Sequence, residues 1–74
     1  MKMEKFLELF IETIEIEDYE VKPEDKFRDY EEWDSLAYLA VLAMIKDEYN
    51  ITLPRETFDN FQTVNDIYNF VNSQ

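Results

Sequence analysis

Few residues of this 74-residue chain could do covalent chemistry, because it contains neither cysteine nor histidine. A thiolate nucleophile, an imidazole base, a disulfide and a Cys/His zinc site are therefore excluded. Two serine hydroxyls remain: Ser35 lies between Asp34 and Leu36, whereas Ser73 lies in the terminal segment. Because no set of nucleophile, base and oxyanion donors is visible, we expect a protein that is not an enzyme.

Ser35 begins the strongest predicted helix, which runs from about Ser35 to Tyr49. This segment is apolar on nearly all sides, which predicts a central position in a helical bundle. Asp34 is a good N-cap, because its carboxylate can accept hydrogen bonds from the free N–H groups of the first turn. The pattern therefore places an exposed hydroxyl at a well-defined helix start.

Three further helices are predicted around this one. An amphipathic helix runs from about Lys2 to Ile14, and Pro54 can start a short helix that reaches about Asp59. Residues 63–66 resemble a capping box before a last helix. With no glycine and two prolines, the chain is predicted to be an all-α four-helix bundle, with three longer helices and one short one, in a single domain over residues 1–74.

The first loop, residues 15–34, shows no sustained period and carries most of the charge. It contains ten acids and three bases, within a chain of formal net charge −11. Such charge disfavours nucleic acid and anionic membranes and favours basic protein surfaces. A loop of this length in a compact domain is expected either to be functional or to pack against the core. Phe27 is the expected anchor, and a short helical turn can follow Pro23.

Targeting and metal signals are weak. No apolar run approaches the roughly 20 residues of a membrane span, and residues 1–13 carry too many acids for a signal peptide. We therefore expect a cytoplasmic protein without membrane insertion. The loop carboxylates lack the spacing and glycine of a calcium loop, so no dedicated metal site is expected.

The order of these segments resembles the acyl carrier protein family, which also includes peptidyl and D-alanyl carrier domains. The resemblance covers essentially the whole chain. It rests on Asp34-Ser35-Leu36 at a helix start, Phe27 eight residues upstream, Ile51-Thr52-Leu53-Pro54, and Thr63-Val64-Asn65-Asp66. It implies a carrier that holds an acyl or aminoacyl group as a thioester on 4′-phosphopantetheine and presents it to partner enzymes.

The resemblance also assigns roles to residues. Ser35 is the expected attachment residue, and Asp34 helps a separate phosphopantetheinyl transferase to recognise it. The other implied partners are a loading ligase and downstream acyl-transfer enzymes, and the carrier is expected to be a monomer. The residues expected to face partners are Trp33, Asp34, Leu36, Tyr38 and Val41. The residues expected in the cargo cavity or core are Phe6, Phe10, Leu39, Leu42 and Ile67.

The chemistry of the attachment point fits this assignment. A helix start is exposed yet rigidly placed, and its free N–H groups suit a phosphate ester. The arm would supply the thiol that the chain lacks.

The chain also departs from the family pattern. Fatty-acid carriers have acids two and five residues after the serine, where this chain has Ala37 and Ala40, and Lys46 replaces a further acid. These differences favour a specialised pathway over standard fatty-acid synthesis. Trp33 has two open interpretations, a cap on the core or an exposed anchor for a partner.

A competing interpretation is an acidic helical interaction module without a prosthetic group, in which Ser35 is only an inert helix start. In either case most aromatic residues should lie in or against the core: Phe6, Phe10, Phe27, Tyr49, Phe58, Phe61, Tyr68 and Phe70.

Overall fold

A computed structural model describes residues 2–74; Met1, the first residue of the expected domain, lies outside the described residues. Within that range the fold is all-α and contains four α-helices, which confirms the predicted fold class. A short 3₁₀ turn lies between the first two helices, at Phe27–Asp29. The α-helices are α1 (Met3–Ile14), α2 (Ser35–Tyr49), α3 (Arg55–Phe58) and α4 (Val64–Asn72).

Both long helices end at a non-glycine residue in the left-handed region, since the chain has no glycine for these positions. Glu15 ends α1 with φ 56°, and its N–H donates to the carbonyl of Ile11. Asn50 ends α2 with φ 57°, and its N–H donates to the carbonyl of Lys46. Glycine usually fills such positions, and asparagine tolerates them better than glutamate.

Helix α2 buries only one face, although its sequence is apolar on nearly all sides. Its buried residues follow a helical spacing: Ala37, Val41, Met44 and Ile45. On the other side, Leu36 is 76% exposed and Leu39 is 57% exposed. Because the segment is apolar on nearly all sides, periodicity could not identify the face that packs against the other helices.

The first loop is packed against the start of α4. Ile16, Val21 and Phe27 are buried, which confirms Phe27 as an anchor. The N–H of Val64 donates to the carbonyl of Asp25 at 3.1 Å, and the N–H of Asn65 donates to the carbonyl of Pro23 at 2.8 Å. Hydrogen bonds between backbone groups far apart in sequence thus fix a segment that has no helix of its own beyond the 3₁₀ turn.

The core lies between these helices and is rich in aromatic side chains. Phe6, Phe10 and Ile67 are fully buried, as predicted, and Leu42 is half-buried against them. The prediction that Leu39 lies in the core is wrong, because it projects from the exposed side of α2. The aromatic residues expected in or against the core all lie there: Phe6, Phe10, Phe27, Tyr49, Phe58, Phe61, Tyr68 and Phe70.

The start of α4 confirms the predicted capping box. The side chain of Thr63 accepts from the N–H of Asp66 at 3.2 Å, and the carboxylate of Asp66 accepts from the N–H of Thr63 at 3.1 Å. In residues 2–74, no helix is long and apolar enough to cross a membrane.

Candidate functional site

Ser35 is the first residue of α2 and is exposed to solvent. Asp34 precedes it in an extended conformation, and its Oδ1 accepts from the N–H of Ala37 at 2.8 Å. The carbonyl of Asp34 accepts from the N–H of Tyr38 at 3.0 Å. Asp34 is therefore the N-cap that the sequence predicted, and it fixes the direction in which the chain enters the helix.

The position of Ser35 suits a phosphate ester. N–H groups in the first turn of an α-helix have no acceptor within the helix, and the helix start carries a partial positive charge. An anion bonded to the Ser35 hydroxyl would lie beside these groups. The chemistry of the site thus fits 4′-phosphopantetheine.

A cavity of about 270 Å³ lies beside Ser35, between the first loop, α2 and α3. Its lining combines two cations, two carboxylates and two aromatic rings. The lining residues other than Ser35 are Arg28, Trp33, Asp34, Tyr38, Arg55 and Asp59.

The aromatic wall of this cavity is held by Phe58 of α3, which is fully buried. The ring of Trp33 stacks on Phe58 with centroids 6.0 Å apart and contacts Phe27 edge-on at 4.8 Å. The ring of Tyr38 meets Phe58 edge-on at 5.0 Å. Of the two interpretations of Trp33, this packing supports a cap on the core, and the half-buried ring also lines the cavity.

The cations of the cavity, Arg28 and Arg55, are the two arginines of the chain. The guanidinium of Arg28 donates to the carbonyl of Phe58 at 3.1 Å and to that of Phe61 at 3.2 Å. It therefore connects the first loop to the end of α3. The guanidinium of Arg55 lies 5.8 Å from the centre of the Tyr38 ring. Neither arginine was predicted as a site residue, because the acids dominate the charge of the chain and neither arginine is next to Ser35 in the sequence.

A second groove, of about 260 Å³, lies on the other side of Asp34, between the end of α1 and the first half of α2. Glu15, Glu32 and Asp34 contribute carboxylates to it, and Leu36 contributes an exposed apolar side chain. The rest of its lining is Thr13, Ile14, Ala37 and Ala40.

Two tyrosines bind carboxylates of the acidic first loop, and one of these carboxylates, Glu32, lines this groove. The hydroxyl of Tyr19 donates to the carboxylate of Glu32, and that of Tyr30 donates to Asp25 at 2.7 Å. Loss of water around the Tyr19 hydroxyl, its bond to Glu32 and the surrounding negative charge raise the pKa of Tyr19 to about 12. The bond from Tyr30 and one from the N–H of Lys22 lower the pKa of Asp25. Both carboxylates are thus held in defined positions.

The predicted partner-facing residues are not all at the surface. Leu36 is exposed, whereas Tyr38 is half-buried in the cavity wall. Val41 is fully buried, so the prediction that it faces a partner is wrong. It lies one helical turn from both Ala37 and Ile45, on the face that packs into the core. Within residues 2–74, no group of three or more carboxylates is arranged to hold a metal ion.

Comparison with known proteins gives consistent matches over most of the chain. A family model described as a phosphopantetheine attachment site matches residues 4–71. An acyl carrier protein of Treponema pallidum (strain Nichols) is 33% identical over 66 residues, which cover 89% of this chain and 85% of that protein. The acyl carrier proteins of Myxococcus xanthus and Micrococcus luteus are each 28% identical over 64 residues, covering 86% of this chain and 81% and 79% of those proteins.

Proposed function

The chain belongs to the acyl carrier protein family, and on that premise we propose that Ser35 is the residue that bears its phosphopantetheine group. Members of this family are carriers and not enzymes, and their cofactor is 4′-phosphopantetheine. The observation that supports Ser35 is an exposed hydroxyl at the capped start of α2, beside a cavity that contains both arginines.

Ser73, the other serine, has a less suitable environment. It follows the last residue of α4, and its hydroxyl donates to the carbonyl of Phe70 at 2.8 Å. No free helix start faces it, since it lies at the C-terminal end of α4, where the helix dipole disfavours an anion. The single expected modification site is therefore Ser35.

The modification is a phosphoryl-group transfer in which the chain supplies the nucleophile. Ser35 Oγ attacks the pantetheine-side phosphorus of the diphosphate in coenzyme A. An O–P bond forms, the bond to adenosine 3′,5′-bisphosphate breaks with its electron pair, and a base of the transferase takes the hydroxyl proton. The attached group supplies a thiol on which an acyl group is carried as a thioester.

We further propose that this carrier serves a specialised pathway and not standard fatty-acid synthesis. Ala37 and Ala40 occupy positions where fatty-acid carriers have acids; Ala37 is buried and Ala40 is half-buried. On that side the carboxylates of Glu15, Glu32 and Asp34 instead line the second groove. A partner with basic residues around an apolar contact would fit this groove and Leu36.

The proposed partners are a phosphopantetheinyl transferase, a loading ligase and acyl-transfer enzymes. We place the protein in the cytoplasm, because coenzyme A, the donor of the arm, is an intracellular metabolite. These proposals share one requirement, which is modification of Ser35.

Intact-mass measurement after incubation with coenzyme A and a broad-specificity phosphopantetheinyl transferase tests this requirement. We expect the parent and Ser73→Ala to gain the mass of one phosphopantetheine, and Ser35→Ala to gain none while remaining folded by circular dichroism. A mass gain in Ser35→Ala, or none in the parent, would overturn the proposal.

The role of Leu36 can be separated from its contribution to folding. Leu36→Ala should slow modification by the transferase without changing the urea midpoint, because the side chain is largely exposed. Leu39→Ala is the matched control, since it removes an exposed leucine from the same helix outside both lined cavities. Equal rates for the two variants would contradict a specific contact at Leu36.

A further inference from the structure

We propose that the cavity beside Ser35 seats the first part of the phosphopantetheine arm, with Arg55 pairing with the phosphodiester and Trp33 and Tyr38 contacting the apolar part of the arm. This inference rests on the proposed attachment at Ser35. It assigns to Arg55 a positioning role that its place in the sequence does not suggest.

The distribution of cations points to this cavity. The chain has 18 acids and 7 bases, and both arginines line the cavity that also has Ser35 on its wall. Arg28 already donates hydrogen bonds to the carbonyl of Phe58, the last residue of α3, and to that of Phe61 beyond it. Arg55 is exposed, and its guanidinium lies 5.8 Å from the centre of the Tyr38 ring. Its planar group of N–H donors is well matched to phosphate oxygens.

Covalent attachment makes this pairing possible in an acidic protein. A free anion would be repelled by the net charge of −11. The phosphorus of the arm would be bonded to Ser35 Oγ, so its oxygens stay at the mouth of the cavity at high effective concentration. Arg55 and Ser35 line the same cavity, so the pair forms within one molecule.

The aromatic wall is arranged before the arm arrives. The rings of Trp33 and Tyr38 are both held against Phe58, at centroid distances of 6.0 and 5.0 Å. The arm carries two methyl groups close to its phosphate, and these can contact the ring surfaces without ordering new side chains. A preformed apolar wall next to a cation matches an anion followed by a methyl-rich segment.

Binding in this cavity also gives the arm a direction. The cavity lies on the α3 side of Asp34, whereas the acidic groove with Leu36 lies on the α1 side. An arm held in the cavity leaves Ser35 toward α3 and keeps the groove open. A partner could then contact Leu36 and the surrounding carboxylates without displacing the arm.

Phosphorus NMR of the modified protein tests the pairing with Arg55. We expect the ³¹P resonance of the folded parent to differ from that of the same protein unfolded in urea. Arg55→Gln should move it toward the unfolded value, and Arg55→Lys should move it less. Lys46→Gln is the control, since it removes one positive charge at the far end of α2 and should leave the resonance unchanged. In the parent, about 1 M sodium chloride should reduce the difference by screening.

The fluorescence of Trp33 provides a second measurement, because it is the only tryptophan. Attachment of the arm should change its emission in the parent, and Arg55→Gln should reduce that change. Inorganic phosphate added to the unmodified protein should leave the emission unchanged.

The inference would be overturned if the ³¹P resonance were the same in the folded and the unfolded protein, or if Arg55→Gln and Lys46→Gln shifted it equally. It would also be overturned if modification left the Trp33 emission unchanged. An emission change with inorganic phosphate alone would also overturn it, because the cavity would then be a general anion site. Mass measurement of the same samples separates the two proposals. If Ser35 gains no arm, the proposed function fails. If Ser35 is modified but the arm does not bind in the cavity, only this inference is contradicted.

Discussion

Truncating two apolar residues of α2 tests which face of this helix packs into the core. Val41 is fully buried, and Leu39 is 57% exposed. Val41→Ala removes two methyl groups, which cost about 1.6 kcal/mol at roughly 0.8 kcal/mol each, and the unfilled space adds to this loss. The higher helix propensity of alanine offsets about 0.5 kcal/mol. We therefore expect the free energy of unfolding to fall by about 1.5–2.5 kcal/mol.

Leu39→Ala should change the free energy of unfolding by less than about 0.5 kcal/mol, as is usual for surface substitutions. A domain of this length is stabilised by only about 4–11 kcal/mol, so the two outcomes are easily distinguished. Urea unfolding followed by far-ultraviolet circular dichroism measures both variants against the parent. A loss above about 1 kcal/mol in Leu39→Ala, or below about 0.5 kcal/mol in Val41→Ala, would contradict the observed packing of α2.

Three further predictions concern polar groups. Tyr49→Phe removes a buried hydroxyl that has no hydrogen-bond partner among residues 2–74, so the free energy of unfolding should rise by about 1 kcal/mol. If urea denaturation instead gives a lower free energy of unfolding, the hydroxyl is paired. The N–H groups of Gln62 and Thr63 lower the pKa of the Asp66 carboxyl. The ionised carboxylate therefore stabilises the folded protein fully above the unfolded pKa of about 3.9. This contribution is lost as the pH falls through the lower pKa of the folded state. The difference in Tm between the parent and Asp66→Asn should therefore shrink in acid, and a difference independent of pH would contradict the linkage. Replacing three exposed carboxylates of the first loop with amides should raise the Tm at low salt and reduce its increase with sodium chloride; a lower Tm would mean that these acids have stabilising partners. The three residues are Glu17, Asp18 and Glu20.

Features that depend on neighbouring residues were predictable from the sequence. The start of α2 at Ser35 follows from the cap at Asp34, and the start of α4 follows from the capping box of Thr63 and Asp66. The amphipathic helix α1 was also predicted correctly, because its buried residues, Phe6, Phe10 and Ile14, recur at helical spacing on one face. The same local signals place an exposed serine at a helix start, which is why the candidate attachment residue could be named without a structure.

The tertiary structure decided what local signals leave open. The apolar residues of α2 have no single direction, so only packing shows that Val41 is buried and Leu39 is exposed. The contacts of Arg28 with Phe58 and Phe61 span about thirty residues of sequence, and Arg55 reaches the same cavity from α3. Sequence spacing cannot indicate such a meeting, because it depends on how the first loop and α3 fold against α2. The sequence by itself determined where the helices begin and which hydroxyl is presented; the packing of distant segments decided which side chains surround it.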